Sequence, residues 1–233
     1  MRIVVLHGQI HHGVTWHLLQ ALLAGLQAPD DSLQEFTLNN LPSCTGCFTC
    51  FKVDEARCPH RAQYGRIIEA IEAADIVIAT SPTYCMEMSG QLKTFFDHMA
   101  YRWAPHRPHP AMWNKVGIAI SSTVGAGAGN VVRSIARQFM WWLIPRRYTL
   151  ALALQAANWA EVAPEKQVRA ARQAEALGRK IRQRGLPKRM GLLQRLIHFG
   201  IGMGVRSGKW LARDTEYWLA QGWVRSVKCK GAG

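Results

Sequence analysis

Four of the six cysteines fall within fifteen residues, in the spacing Cys44-x2-Cys47-x2-Cys50-x7-Cys58, with Pro59 directly after. Thiolates are soft metal ligands, and so compact a set suits a [4Fe–4S] cubane better than the two separated knuckles of a zinc ribbon. A cluster there would split two-electron chemistry into one-electron steps. The alternative is a loop of four free thiols, or of thiols paired after oxidation, and spacing alone leaves both readings open. Cys85 and Cys229 stand apart and read as incidental, and His7, His60, His106 and His109 show no ligand spacing of their own.

Three other segments combine glycines with hydroxyl and small side chains. The first, Gly8-Gln9-Ile10-His11-His12-Gly13-Val14-Thr15, suits a phosphate. Its glycines permit a tight turn, the free N–H groups of a following helix attract an anion, and the Thr15 hydroxyl adds a donor. It has neither the Gly-Lys-Ser/Thr of a nucleotide P-loop nor the G-x-G-x-x-G of a dinucleotide fingerprint, so a phosphomonoester fits it better. The second segment runs from Ser81 to Lys93 and the third from Ser121 to Gly129, where small residues would let backbone approach a flat ring.

Short β-branched runs alternate with longer helical patterns and put these segments in a common frame. Strands are expected at Ile3–Leu6, Glu35–Leu38, Asp75–Ala79, Val116–Ile120 and Tyr148–Leu154. Helices are expected at Thr15–Leu26, Tyr64–Ala73, Gln91–Met99, Val131–Leu143 and Pro164–Arg184, the last opening on a permitted N-terminal proline. Five strands separated by helices predict a parallel sheet covered on both faces, because parallel neighbours need long crossovers. In such a sheet ligands sit at the carboxyl ends of strands, and all three segments follow strands.

The string Ser81-Pro82-Thr83-Tyr84-Cys85-Met86-Glu87-Met88-Ser89-Gly90-Gln91-Leu92-Lys93, continued by Phe95-Phe96-Asp97, resembles the NADPH-dependent FMN reductase and flavodoxin-like quinone reductase family. The resemblance covers roughly residues 2–182 and implies a flavodoxin-like three-layer sandwich that binds FMN and uses NAD(P)H as co-substrate. It assigns phosphate contacts to His11, Gly13, Thr15 and Trp16, and ring or ribityl contacts to Pro82, Thr83, Tyr84, Met86, Thr123 and Gly125. Tyr84 is also the residue expected to touch substrate. Gln9, Val14 and His98 depart from the family pattern, which commonly has Ser, Asn and Arg there. The cysteine motif resembles that of the iron–sulfur flavoproteins, a branch of the same fold, and this implies Cys44, Cys47, Cys50 and Cys58 as the cluster ligands.

Hydrophobic residues make up 48% of the 233 residues and charged ones 19%, ample apolar material for one packed core. The net charge of +14 is uneven: residues 179–233 hold 13 of the 29 Lys and Arg and two acids, so +11 lies there and +3 elsewhere. Gly185-Leu186-Pro187 marks the expected boundary between an FMN-binding body, 1–185, and a basic C-terminal helical extension, 186–233. In the extension Leu192, Leu193, Leu196, Ile197 and Phe199 can line one helical face beside Arg189 and Arg195, a pattern that serves an anionic membrane surface. Packing on the body or on a second copy is the other reading, since Trp210, Trp218 and Trp223 suit an interface. Charge without a recognition motif argues against nucleic acid. Trp103, Trp113, Trp141 and Trp142 are candidates for the active-site cleft wall, or for core or subunit-interface packing. Ile3-Val4-Val5-Leu6 is too short for a signal-peptide core, so the expected compartment is the cytoplasm, with the extension as a means of membrane association. Function is read as electron transfer from NAD(P)H through FMN to a small-molecule or protein acceptor such as a quinone or aromatic, in a homo-oligomer. The rival is a non-enzymatic iron–sulfur and flavin relay docking on a protein or membrane.

Overall fold

The computed structural model describes residues 1–227, so Cys229 lies outside the described residues. Five strands, β1 (Arg2–His7), β2 (Ser32–Thr37), β3 (Ile76–Pro82), β4 (Val116–Thr123) and β5 (Arg146–Ala153), form one sheet. All pairings are parallel and the order is β2-β1-β3-β4-β5, the flavodoxin-like winding. The central strands are runs of β-branched and small residues because both their faces are covered. The pleat sends Ile3, Val5, Ile76, Ile78 and Ile118 to one face and Val4, Leu6, Val77, Ala79 and Ala119 to the other.

Helices α1 (Val14–Leu26) and α6 (Pro164–Arg184) close the first face, through Leu18, Leu22, Ala174 and Ile181. The opposite face is closed by α3 (Arg61–Ala73), α4 (Gly90–His98) and α5 (Ala128–Trp141), through Ile67, Ile71, Phe95, Phe96, Ile135 and Phe139. The cysteine segment contains only a four-residue helix, α2 (Thr49–Lys52), and a 3-10 turn at Glu55–Arg57. After α6 the chain forms α7 (Leu192–Arg206) and α8 (Ala212–Ala220), whose Val205 and Trp218 form a small apolar cluster with Val224 beyond α8.

Sequence and structure agree on all five strands and on the five long helices, with ends shifted by a few residues. Trp142 lies in the core, Trp103 stacks on Trp141 with ring centroids 5.5 Å apart, and Trp113 packs on Trp223 at 5.3 Å. The cleft-wall reading of these four tryptophans is therefore replaced by packing. Among the described residues no helix is long and apolar enough to cross a membrane.

Candidate functional site

The loops after β1, β3 and β4 meet at the carboxyl edge of the sheet. Gly8 N–H donates to the Thr80 carbonyl at 2.8 Å, and a Cβ on Gly8 would stand 2.6 Å from Ser89 Oγ, so only glycine lets these two loops come so close. Thr83 N–H donates to the Ser122 carbonyl at 3.0 Å, and the Thr83 and Ser121 hydroxyls are 3.1 Å apart. The Thr15 and Ser122 hydroxyls, both buried, pair at 2.6 Å and tie the start of α1 to the end of β4. Either can donate, so when Ser122 does, the Thr15 proton is free for another acceptor.

Helix α1 begins at the N-cap Gly13 with no side-chain cap and no acid in its first turn. Trp16 N–H already donates to the Gly13 carbonyl at 3.0 Å, but the Val14 and Thr15 N–H groups lack acceptors among the described residues, and the helix dipole adds positive potential at the same place. In the loop that leads into it, the amide Nε2 of buried Gln9 has no partner, while Gln9 Oε1 accepts from the Thr80 hydroxyl at 3.3 Å. An orphaned buried donor next to an uncapped helix start is what a bound phosphate would satisfy.

Tyr84 and Glu87 exchange two backbone hydrogen bonds of 2.9 Å around Cys85 and Met86, whose φ values are +49° and +66°. Two consecutive side-chain-bearing residues in the left-handed region are strained, by about 1–3 kcal/mol each, and such strain gathers at ligand clamps. The turn lifts Tyr84 and Met86 into solvent, where Ile10 and Val124 of the neighbouring loops are also exposed. Four large apolar side chains thus stand uncovered around one rim, where a flat aromatic ring would find apolar walls. Tyr84 also reaches the phosphate loop, its hydroxyl 3.4 Å from His11 Nε2.

The other expected contacts are distributed around this rim. Gly13 sits under His11, whose Nδ1 is 2.8 Å from where a Gly13 Cβ would be. Trp16 stacks on His12 at 4.5 Å. Pro82 closes β3, and the Thr123 hydroxyl donates to the Ala126 carbonyl at 2.8 Å. A Cβ on Gly125 would meet nothing within 4 Å, whereas Gly127, with φ +100°, presses on Thr83 and Met86. The residues the motifs did not single out are Gly8, Gln9, Ser122 and Gly127. Alternating glycines at 125, 127 and 129 carry no mark of which one touches the facing loop.

Cys44, Cys47, Cys50 and Cys58 line one cavity, of about 650 Å³ including its open mouth, together with Phe51, Tyr64, His98 and Tyr101. All four thiols are free. Burial pushes Cys50 up to about 11, and the nearby charges of Cys58, Cys44 and Cys47 act in the same direction. The Thr49 hydroxyl, donating to Cys47 Sγ at 3.3 Å, holds that exposed thiol below its ordinary value. His98 Nδ1 faces the Thr94 carbonyl at 3.1 Å and its buried Nε2 has no partner. Among the described residues no three His, Cys, Asp or Glu side chains converge on one ion position. A cubane asks for a different arrangement, one thiolate per iron around a wider rim.

The extension closes against this loop. Asp214 of α8 is fully buried and ion-pairs with Arg107, itself 1% exposed, while His106 Nδ1 lies 2.7 Å from its other oxygen. Arg107 in turn bonds the Cys50 carbonyl and, at 3.1 Å, Glu55. Arg213 pairs with Asp54, and the Trp218 indole donates to the His106 carbonyl at 2.7 Å. Trp210 and Trp218 serve packing within the chain.

Comparison with known proteins gives a match over residues 1–163 to the family described as NADPH-dependent FMN reductase. An iron–sulfur flavoprotein from Archaeoglobus fulgidus is 29% identical over 113 residues, 48% of this chain and 49% of the relative, so the match spans about half the length of that curated protein. Among solved structures, an azoreductase from Bacillus anthracis superposes with a TM-score of 0.62 at 13% identity, covering 78% of this chain and all of the other. An NAD(P)H:quinone oxidoreductase from Methanothermobacter marburgensis gives 0.55 at 14%, covering 77% and 96%. At such identities the two structures speak for the fold.

Proposed function

The chain belongs to the NADPH-dependent FMN reductase family, and from that premise we propose that it is an FMN-dependent NAD(P)H oxidoreductase that passes electrons to a quinone, aromatic or other redox acceptor. The observation that carries this reading is the exposed apolar rim of Ile10, Tyr84, Met86 and Val124 beside the uncapped start of α1 and the unpartnered Gln9 amide. One end of that site suits a phosphate and the other a flat ring. When bound, FMN supplies hydride acceptance and onward electron delivery.

The chain's own contribution is binding and orientation. His11, Gly13, Thr15 and Trp16 hold the phosphate end, with Gln9 Nε2 as an added donor. Pro82, Thr83, Tyr84, Met86, Thr123 and Gly125 border the ring, the strained Tyr84–Glu87 turn fixing the height of its wall. Tyr84, exposed above the rim, is the contact for donor and acceptor. In this reading residues 1–185 form the FMN-binding unit, and 186–233 is an extension whose described part, to residue 227, folds onto it. Purified protein that is yellow, takes up FMN and oxidises NAD(P)H with a quinone supports the proposal; a colourless chain that does not take up FMN removes it.

The cysteine cavity favours a second function within the same molecule, relay of single electrons. Its four cysteines, lining one cavity, fit a [4Fe–4S] cluster that Cys44, Cys47, Cys50 and Cys58 would hold as thiolates. When bound, a cluster supplies one-electron exchange. About four irons and four sulfides per chain after anaerobic purification, lost in Cys50→Ser with FMN retained, is the expected result. Iron absent from the wild type overturns it.

A further inference from the structure

Helix α7 turns its apolar face away from the protein. Gly202 and Val205 are buried against Trp218 and Val224, and Gln194 is buried too, while Leu192, Leu196, Phe199 and Met203 are each more than half exposed. Their spacing of four, three and four residues puts them on one stripe of the helix. Uncovered apolar stripes of this length are rare on free protein surfaces.

The charge around the stripe identifies what covers it. Between Glu175 and Asp214 the sequence has ten Lys and Arg and no acid, and of these Arg179, Arg182 and Arg213 pair with acids elsewhere in the chain. Two adjoining clefts open at the start of α7. One is lined by Lys188, Arg189 and Arg195 with Trp113 and Asn114, the other by the same three cations with Arg146 and Arg184. The N-cap of α7, Gly191, offers no capping side chain, so the helix start adds donors and positive potential there. A second copy pairing through this face would bring two such cationic clusters together. An anionic bilayer offers the complement on both counts, acyl chains for the stripe and phosphates for the clefts.

We propose that α7 is an interfacial membrane anchor, lying in the headgroup plane of an anionic phospholipid bilayer with Leu192, Leu196, Phe199 and Met203 inserted and lipid phosphates in the two cationic clefts. Fifteen residues make a helix of about 22 Å, short of the ~30 Å hydrocarbon core, which fits lying on a bilayer and not crossing it. The clefts adjoin Asn114 and Arg146, at the amino ends of β4 and β5. The flavin loops leave the carboxyl ends of β1, β3 and β4, so docking here keeps their rim turned to solvent.

The test is flotation of the full chain with phosphatidylcholine vesicles, with and without phosphatidylglycerol, at low and high salt, alongside its mass in solution. Binding only to the anionic vesicles, weakened by salt, is expected. Leu196→Glu with Phe199→Glu should lower it at least tenfold, and Lys188→Glu with Arg189→Glu at least about 25-fold, at roughly fivefold per cation. These side chains are exposed, so both variants should melt as the wild type does. Three results overturn the proposal: no binding to anionic vesicles at low salt; undiminished binding of the Leu196/Phe199 variant, which marks adsorption by bulk charge; or a wild-type dimer that this variant turns into a monomer, which makes the stripe a contact between copies.

Discussion

Gly127→Ala separates the parts of the flavin site. Gly127 has φ +100°, and a Cβ there would lie 2.8 Å from Thr83 Cγ2, 3.0 Å from Met86 Sδ and 3.2 Å from Met86 Cα. The left-handed backbone costs an alanine about 1–2 kcal/mol. The Cα of Met86 cannot rotate away, so the contact adds to that cost and pushes the 83–86 turn off the third loop. A loss of about 2 kcal/mol lowers the melting point by about 4–8 °C in a chain of this size. Displacing the ring wall should also raise the Kd for FMN at least tenfold, the equivalent of about 1.4 kcal/mol. Gly125→Ala is the companion, since its Cβ meets no protein atom within 4 Å and its backbone is not left-handed. It should leave the melting point of the FMN-free chain within experimental error and weaken FMN alone, because the space it fills is the space assigned to the ring. Thermal melts of the FMN-free chain and quenching of flavin fluorescence read the two effects. If Gly127→Ala melts and binds as the wild type does, or Gly125→Ala binds FMN unchanged, the assignment of the third loop to the ring is wrong.

Arg107→Met strands the buried Asp214 carboxylate and should cost about 3–5 kcal/mol in urea unfolding, most of it recovered when Asp214→Leu is added. Thr15→Val leaves the buried Ser122 hydroxyl unpaired and should cost about 1–3 kcal/mol, while Thr15→Ser keeps the bond and most of the stability. Lys115 is buried and donates to the Glu72 carbonyl at 2.9 Å, and burial pulls it down to about 8 from an ordinary 10.5. Between those values the unfolded chain holds a proton the folded chain has released, so stability should rise with pH from about 8 to about 10.5. Urea midpoints at both ends of that window should differ in the wild type and lose this slope in Lys115→Met. Truncation after residue 185 removes Asp214 and uncovers Arg107, and should yield a chain that aggregates and, if it binds iron at all, binds less of it than the full protein.

The sheet was legible because buried parallel strands leave a dense signal. Ile76–Ala79 and Val116–Ile120 are short unbroken apolar runs rich in β-branched residues, which suits a strand covered on both faces. Strand β2 was fainter, since only Phe36 of its six residues is buried. Loop positions could be read from strand ends, but not the contacts between loops. Thr15 and Ser122 are 107 residues apart, and no local pattern announces their bond. The same holds for Arg107 and Asp214, so the seating of α8 on the cysteine loop was invisible. The amphipathic pattern of α7 was plain, yet periodicity does not say which face a helix turns inward. That depended on Trp218 and Val224 packing behind it against Val205.

The clasp between Asp214 and Arg107 also sets an order of events during synthesis. Cys50, whose carbonyl Arg107 grips, leaves the ribosome 164 residues before Asp214, by subtraction of the two positions. At translation speeds of about 5–20 residues per second, that is roughly eight to thirty seconds in which the thiol loop has no fastener. A metallocentre assembled there would meet a loop still unfastened on the nascent chain, and completing α8 then holds Cys50 in place through Arg107.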